Sequence, residues 1–327
     1  MISKQLGSKL IAATLALGAF GLTIPFSAQA EDYVVATTAI VEHPALDAVR
    51  EGVRDELKAQ GFEEGKNLTF LYKSAQGNPA TAAQIARDYI GKGPNVIVPI
   101  ATPSAQAVVA ATKDIPVVFS AVTDPVAAKL VSGPGASGTN VTGVSDLSPI
   151  DQHIALIKEL TPNAKTIGVP YNPGEANSVV LLDLVKKHGA EQGFEVIASP
   201  ATKTGEVLTA TQNLIGKVDV IYVATDNTII SAFEAVVKVG IDHQIPVYAG
   251  DTDSVKRGAM AALGFDYYDV GRQTGKVVVE ILKGKKAGDI PFQGVSKTNL
   301  FVNPAMAKKM GVTLSADVIA RATEVVK

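Results

Sequence analysis

The sequence predicts an α/β protein of two lobes, each built around an open, doubly wound and mainly parallel sheet. Short runs rich in Val and Ile alternate with helical patterns along the chain. The runs are nearly continuous in apolar residues, which is typical of strands buried on both faces of a parallel sheet. The alternation also occurs twice, from Tyr33 to about Phe119 and from about Pro149 to Gly250. Repeated βα units of this kind favour right-handed crossovers and an open sheet in each half.

The elements of each half follow from these patterns. Leu46, Val49, Val53 and Leu57 fall on one helical face, and Gly61 ends that helix. A second stripe, Ile150, Ile154 and Ile157, follows Pro149 at a helix start. The predicted strands are Val34–Val41, Leu68–Tyr72, Asn95–Ile100 and Ile115–Phe119 in the first half, and Thr166–Pro170, Phe194–Ala198, Val218–Val223 and Pro246–Ala249 in the second.

The last part of the chain adds pieces too small for a third domain. They are a strand at Met260–Phe265, a helix at Tyr268–Lys283, a strand at Thr298–Asn303 and a helix at Pro304–Met310. We expect them to return and complete both sheets, with more than one crossing between the lobes. The expected division is residues 31–146 with about 259–286 in lobe I, and residues 147–258 with about 295–327 in lobe II.

The first thirty residues have the features of a secretory signal peptide. Lys4 and Lys9 precede an apolar stretch from Leu10 to Ile24, and Ala28-Gln29-Ala30 forms an A-x-A cleavage site. The apolar core is short for an uncleaved membrane anchor, which is the alternative. The chain has no Cys, so it has no lipid-attachment site, disulfide or thiolate metal site. We therefore expect a periplasmic protein that is cleaved after Ala30 and is not a lipoprotein.

Composition and motifs exclude several function classes. The net charge of −2 gives no basic footprint for nucleic acid. Gly133, Gly135 and Gly138 match G-x-G-x-x-G, but a Pro interrupts them and a β-like segment follows, so we expect a loop within 131–142 and no dinucleotide. The four His residues lack metal-ligand spacing, and we expect His153 and His188 on solvated helix surfaces. The sequence contains none of the common catalytic motifs. We therefore expect a protein that is not an enzyme and binds no cofactor.

Polar residues at the strand ends predict a binding cleft. In open α/β sheets, ligands bind beyond the carboxyl ends of the strands, and two facing lobes would bring both sets of ends together. Each residue alone is explained equally well as a helix cap. The candidate ligand-binding residues are His43, Thr102, Ser104, Thr123 and Asp124 in the first lobe, and Tyr171, Asp226, Asn227 and Asp251 in the second.

The chemistry of these candidates differs between the lobes. Thr102, Ser104 and Thr123 place hydroxyls beside helix N-termini, which suits a carboxylate. Asp226 and Asp251 offer negative charge for an ammonium, so the pair of lobes fits an α-amino acid. Residues 264–269 hold the densest aromatic cluster of the chain, which could stack on an apolar ligand side chain. Core packing under the last crossover helix is the favoured explanation of that cluster.

Several motifs together resemble one known family. The combination resembles the tryptophan/tyrosine-type substrate-binding proteins of ABC importers over essentially the whole chain after residue 30. These motifs are Ala-Ile-Val-Glu-His-Pro-Ala-Leu-Asp (39–47), Ile-Ala-Thr-Pro-Ser-Ala-Gln (100–106), Ala-Val-Thr-Asp-Pro (121–125), Asn-Val-Thr-Gly-Val-Ser-Asp (140–146), Leu-Thr-Pro-Asn-Ala-Lys-Thr-Ile-Gly (160–168), Ala-Thr-Asp-Asn-Thr (224–228) and Gly-Phe-Asp-Tyr-Tyr (264–268).

This resemblance implies the type I periplasmic-binding-protein fold, with two Rossmann-like lobes joined by a three-stranded hinge. It implies capture of a small ligand by lobe closure and delivery to a membrane permease with its ATPase. By analogy with branched-chain amino acid binders, Thr102 and Thr123 would hold the ligand carboxylate. An acid of the second lobe would hold the ammonium, and the resemblance does not choose between Asp226 and Asp251.

The expected function is that of a monomeric solute-binding component of an importer for an aromatic or apolar L-amino acid. Two alternatives share the fold: a ligand-binding sensory receptor, and a binder of another small polar metabolite. An exported enzyme is a third class, without a nucleophile–base pair to support it.

Overall fold

The computed structural model describes residues 32–327, so the expected signal peptide and its cleavage site lie outside the described residues. Its strands, in chain order, are β1 Tyr33–Ala39, β2 Leu68–Ser74, β3 Val96–Ile100, β4 Val117–Val122, β5 Val141–Ser145, β6 Thr166–Tyr171, β7 Glu195–Pro200, β8 Val220–Val223, β9 Val247–Ala249, β10 Ala261–Gly264, β11 Gln293–Gly294, β12 Asn299–Val302 and β13 Glu324–Val325.

Helices connect these strands in nearly regular alternation. Their bounds are α1 Pro44–Ala59, α2 Pro79–Lys92, α3 Thr102–Ala111, α4 Ile150–Leu160, α5 Ala176–Glu191, α6 Val207–Gln212, α7 Asn227–Ser231, α8 Phe233–Asp242, α9 Asp253–Lys256, α10 Tyr267–Leu282, α11 Pro304–Lys309 and α12 Ala316–Arg321. No helix within residues 32–327 combines the length and the apolar character needed to cross a membrane.

The strands form two separate sheets. The first has six strands in the order β11-β5-β4-β3-β1-β2, all parallel. The second has seven in the order β13-β12-β10-β9-β8-β6-β7, in which only the β10–β12 pair is antiparallel. The predicted α/β class with two doubly wound lobes is therefore confirmed.

The central strands are buried on both faces, as their continuous apolar runs predicted, whereas the edge strands β2 and β7 are largely exposed or half-buried. In β1, Val35 packs into one apolar cluster of the first lobe while its neighbour Ala36 packs into another, on the opposite face of the sheet. In β3, Val96 and Ile97 divide between the same two clusters. A third cluster contains the apolar residues of the second sheet and the helices around it. Each lobe thus has its own core, which leaves polar strand ends to face the other lobe.

The chain passes between the two sheets three times within the described residues. It crosses after β5 through residues 146–149, returns after β10 through residues 265–266, and crosses again between β11 and β12 through residues 295–298. The helix α10 packs on the first lobe, where Val270 and Val278 join its clusters.

The strand β10 belongs to the second sheet, which differs from the expected division of the chain into lobes. That division assigns residues 259–286 to lobe I, whereas β10 pairs with β9 and β12 of the second sheet. Backbone pairing with β9 starts at Met260, four residues after α9 ends, so the strand is completed before the chain returns. We therefore propose lobe boundaries that keep β10 in lobe II and start the returning segment of lobe I near residue 265.

The helices α1 and α10, which lie far apart in the sequence, pack against each other at unusually close range. At Gly52 of α1 and Gly271 of α10 the backbones meet directly, and an added Cβ at either glycine would lie about 2 Å from a backbone oxygen of the other helix. The buried Glu56 of α1 forms an ion pair with Arg272 of α10 at 2.8 Å. Both helices reach the cavity described below at their N-terminal ends, through Leu46 of α1 and Tyr267 of α10.

His153 is not on a solvated helix surface, and that expectation is wrong. The side chain is buried, and its Nδ1 lies 2.7 Å from Tyr222 Oη of β8. Position 153 follows Ile150 by three residues, so the helical period places it on the apolar face of α4. Burial lowers the pKa of His153 to about 4, which keeps the ring neutral at neutral pH. His188 is partly exposed and pairs with Glu191.

Candidate functional site

A small, nearly closed cavity with about 20 Å³ of free space lies between the carboxyl ends of strands from both sheets. Its lining residues from the first lobe are His43, Ala45, Leu46, Thr102, Ala121, Thr123, Asp146 and Tyr267, and those from the second are Asn177, Thr225, Asn227, Ile230 and Asp251.

The first-lobe wall is formed where β3 and β4 end. Thr102 is the first residue of α3, and Thr123 follows β4. The residue before Thr102 is Ala101, with φ 72° and ψ 155°, and Ala121 at the end of β4 has φ 52°. Left-handed backbone at a non-glycine residue costs roughly 1–3 kcal/mol and concentrates at functional sites. The strain turns both strand ends so that Thr102 and Thr123 reach the cavity.

The second-lobe wall is held by a buried pair of acids behind it. Asp226 precedes α7 and accepts hydrogen bonds from Ile229 N at 3.0 Å and Asn172 N at 2.6 Å. Glu175 accepts from Asn227 Nδ2 at 2.6 Å. Burial, followed by the charge of Glu175, raises the pKa of Asp226 to about 7. These carboxyls fix the start of α7 and thereby aim Asn227 at the cavity.

His43 lies where the two lobes meet. It precedes α1, and burial, reinforced by the charge of Arg257 from the second lobe, lowers its pKa to about 3. The side chain of Asn227, also from the second lobe, opposes this shift by hydrogen bonding. The ring is therefore neutral at neutral pH, and its nitrogens serve as one donor and one acceptor.

Buried polar atoms without partners converge on this cavity. Buried polar side chains in folded proteins are almost always hydrogen-bonded, so such atoms require an explanation. Among the described residues, five cavity-lining side chains each have a buried atom that makes no hydrogen bond within the protein. These atoms are His43 Nδ1, Thr102 Oγ1, Asp146 Oδ1, Asn177 Oδ1 and Thr225 Oγ1. They come from both lobes and include donors and acceptors, which is the pattern expected of a site for a small polar ligand.

The structure brings five of the predicted site residues together on the cavity wall, namely His43, Thr102, Thr123, Asn227 and Asp251. Four others are elsewhere. Ser104 is buried two residues further along α3, and Asp124 caps the turn at Val126 N and Ala127 N. Tyr171 packs against the second-lobe core, and Asp226 is engaged behind the wall as described.

Sequence reasoning missed several residues of the wall. Asp146 follows β5, which the sequence assigned only as a short β-like segment, so its strand end was not considered. The hydroxyl of Tyr267 donates to Asp146 Oδ2 at 2.8 Å, although core packing was the favoured explanation for the aromatic cluster that contains it. Asn177 lies on α5, away from any strand end, and gave no signal. Thr225 lies two residues after the end of β8, so the strand-end rule could have identified it.

Comparisons with known proteins agree with this architecture. A family model described as ABC transporter substrate binding protein matches residues 34–326. A "Tyrosine-binding protein" of Clostridioides difficile (strain R20291) is 40% identical over 279 residues, which cover 85% of this chain and 81% of the relative.

Two solved structures are informative about the arrangement of the lobes. One is described as an ABC domain in complex with L-Trp from Streptococcus pneumonia, with 34% identity, a TM-score of 0.87 and coverage of 90% of this chain and 100% of that one. The other is the ligand-free, open structure of a substrate binding protein with adhesive properties from Clostridium difficile, with 38% identity, a TM-score of 0.68 and coverage of 90% and 99%. The lobes here are thus arranged more like those of the L-Trp complex, although the open protein is closer in sequence.

Proposed function

Because this chain belongs to the ABC transporter substrate binding protein family, we propose that it binds an aromatic L-amino acid in the cavity between its lobes and delivers it to a membrane permease and its ATPase. The family model that the chain matches describes a substrate-binding protein. A tyrosine-binding relative and an L-Trp complex support the aromatic ligand class.

The observation that carries the proposal is the set of unpartnered polar atoms on both walls of one cavity. An α-amino acid supplies a carboxylate, an ammonium and a side chain, and the walls contain groups for each. The hydroxyl of Thr102 at the start of α3 suits the carboxylate, because a helix N-terminus favours anions. The carboxyls of the wall suit the ammonium. Leu46 and Ile230 offer apolar surface for a ring.

Lobe closure is the proposed mechanism of capture. The three segments that cross between the sheets would serve as the hinge, and a ligand that contacts both walls would stabilise the closed arrangement over the open one. The higher TM-score against the L-Trp complex than against the open, ligand-free relative supports a closed arrangement here.

The proposed location is the periplasm. The sequence features of residues 1–30 favour export with cleavage after Ala30, and a monomer would suffice because both walls of the cavity come from one chain.

Thermal unfolding with added ligands tests the binding proposal. We expect L-tyrosine or L-tryptophan to raise the Tm, because a ligand at 100 times its Kd stabilises the folded state by about 2.7 kcal/mol. The other standard L-amino acids and myo-inositol, a polyol without charged groups, serve as controls. A Tm raised by the polyol and by no amino acid would contradict the proposal and favour another small polar metabolite.

A further inference from the structure

Two carboxyl groups line the cavity, Asp146 from the first lobe and Asp251 from the second. An ammonium taken out of water requires a charged or strongly hydrogen-bonding partner, because an unpaired buried charge is very costly. One of these carboxyls is therefore the natural partner of an amino acid's ammonium. Their existing hydrogen bonds decide between them.

Asp251 is already engaged within its own lobe. Its Oδ1 accepts from Ser254 N at 2.9 Å and its Oδ2 from Ser254 Oγ at 2.6 Å, which holds the turn into α9. Asp226, the other acid of the second lobe that the sequence suggested, does not line the cavity, and both of its oxygens also accept hydrogen bonds. Both acids therefore have a local structural role.

Asp146 differs in having one oxygen free. Its side chain is buried, Oδ2 accepts from Tyr267 Oη, and Oδ1 has no hydrogen-bond partner in the part of the chain that the structure describes. No Lys, Arg or His among residues 32–327 forms an ion pair with it. The Thr123 hydroxyl is close enough to act on the same carboxyl, without a hydrogen bond of good geometry. Asp146 is thus a buried acid in the cavity that lacks a cation.

We propose that Asp146, rather than an acid of the second lobe, binds the ammonium of the ligand through Oδ1, while Tyr267 holds Oδ2 in place. This assignment rests on the proposed amino-acid function. Asp146 begins the first segment that crosses between the lobes, and Tyr267 directly follows the second. The ammonium therefore binds at the hinge itself, which couples occupancy of the cavity to the geometry of two crossing segments.

Calorimetric titration with two ligands tests the assignment. The ligands are L-tyrosine and 3-(4-hydroxyphenyl)propanoate, which lacks only the amino group; L-tryptophan and 3-(indol-3-yl)propanoate replace them if L-tryptophan is the better ligand. In the wild type we expect the amino acid to bind about 100-fold more tightly than its des-amino analogue. In Asp146→Asn this preference should fall to about tenfold or less, chiefly because the amino acid binds more weakly.

Two further variants serve as controls. Asp124→Asn changes an acid of the same lobe that caps a turn outside the cavity, and it should keep the full preference. Asp251→Asn tests the competing acid of the cavity wall, and it should lower the preference less than Asp146→Asn does. If Asp251→Asn loses the preference for the amino acid and Asp146→Asn keeps it, the assignment is overturned. The proposed amino-acid function would then still stand. A wild type that binds no amino acid would instead overturn the proposed function.

The pH dependence of wild-type binding gives a readout that needs no variant. Burial raises the pKa of Asp146 to about 6, with the Tyr267 hydroxyl opposing. The other titratable groups of the cavity are Tyr267, His43, which stays neutral, and Asp251, whose pKa burial also raises. Because an ammonium binds the ionised carboxyl, affinity should fall by up to about tenfold per pH unit below pH 6. This slope should be lost in Asp146→Asn, and a slope that persists there would contradict the assignment.

Discussion

Replacing Gly271 with alanine is expected to lower the free energy of unfolding by about 3 kcal/mol, the upper end of the usual cost of overpacking. The new Cβ would lie 2.1 Å from the carbonyl oxygen of Val49 and 2.9 Å from the Cα of Gly52. These are backbone atoms, so the clash is relieved only by separating α10 from α1. Separation would also weaken the ion pair between the buried Glu56 and the partly exposed Arg272. Urea unfolding followed by circular dichroism measures the change.

Gly91→Ala is the matched control. Gly91 lies near the end of α2, and an added Cβ would meet nothing within 4 Å. Alanine is the better helix former, so this variant should be unchanged or more stable by up to about 1 kcal/mol. Equal stabilities for the two variants would show that α1 and α10 do not pack as closely as described.

The second large effect concerns Thr102, whose replacement by valine should weaken amino-acid binding by about 10- to 100-fold. Valine keeps the shape of the side chain and removes the hydroxyl. In the protein alone, Thr102 Oγ1 is buried without a hydrogen-bond partner, so its loss should leave the unfolding free energy unchanged or slightly higher. A ligand carboxylate would lose a charge-assisted hydrogen bond. Binding and stability are thus expected to respond differently to the same substitution.

Thr38→Val separates this effect from the loss of any buried hydroxyl. Thr38 Oγ1 in β1 is likewise buried and unpartnered, but Thr38 does not line the cavity. We expect Thr38→Val to leave the Kd unchanged in the same titration. Equal affinities for Thr102→Val and the wild type would remove Thr102 from the binding site.

The fold was largely predictable because its main signal is local. A run such as Val96–Ile100 is apolar at every position, which indicates a strand covered on both faces wherever its neighbours lie. Pairing is not local. The strand at Ala261–Gly264 was expected, but nothing within four residues reveals which sheet it joins. The contact between Gly52 and Gly271 likewise joins segments far apart in the sequence, and neither glycine differs locally from one that ends a helix.

The site was predictable in part, for a similar reason. The strand-end rule located Thr102, Thr123 and Asp251 because it depends only on strand positions. It could not separate residues on the wall from those that cap a turn, such as Asp124, because the same residue types serve both purposes. Asp146 was missed because the end of β5 was not considered, and its free oxygen depends on Tyr267, more than a hundred residues later.

A crystal structure of the protein grown with L-tyrosine or L-tryptophan tests the central claim most directly. The account predicts an amino acid enclosed between the two sheets, with its carboxylate at Thr102 and the start of α3 and its ammonium at Asp146 Oδ1. An amino acid bound at any other place on the protein, with the walls of this cavity packed against each other as they are here, would contradict it.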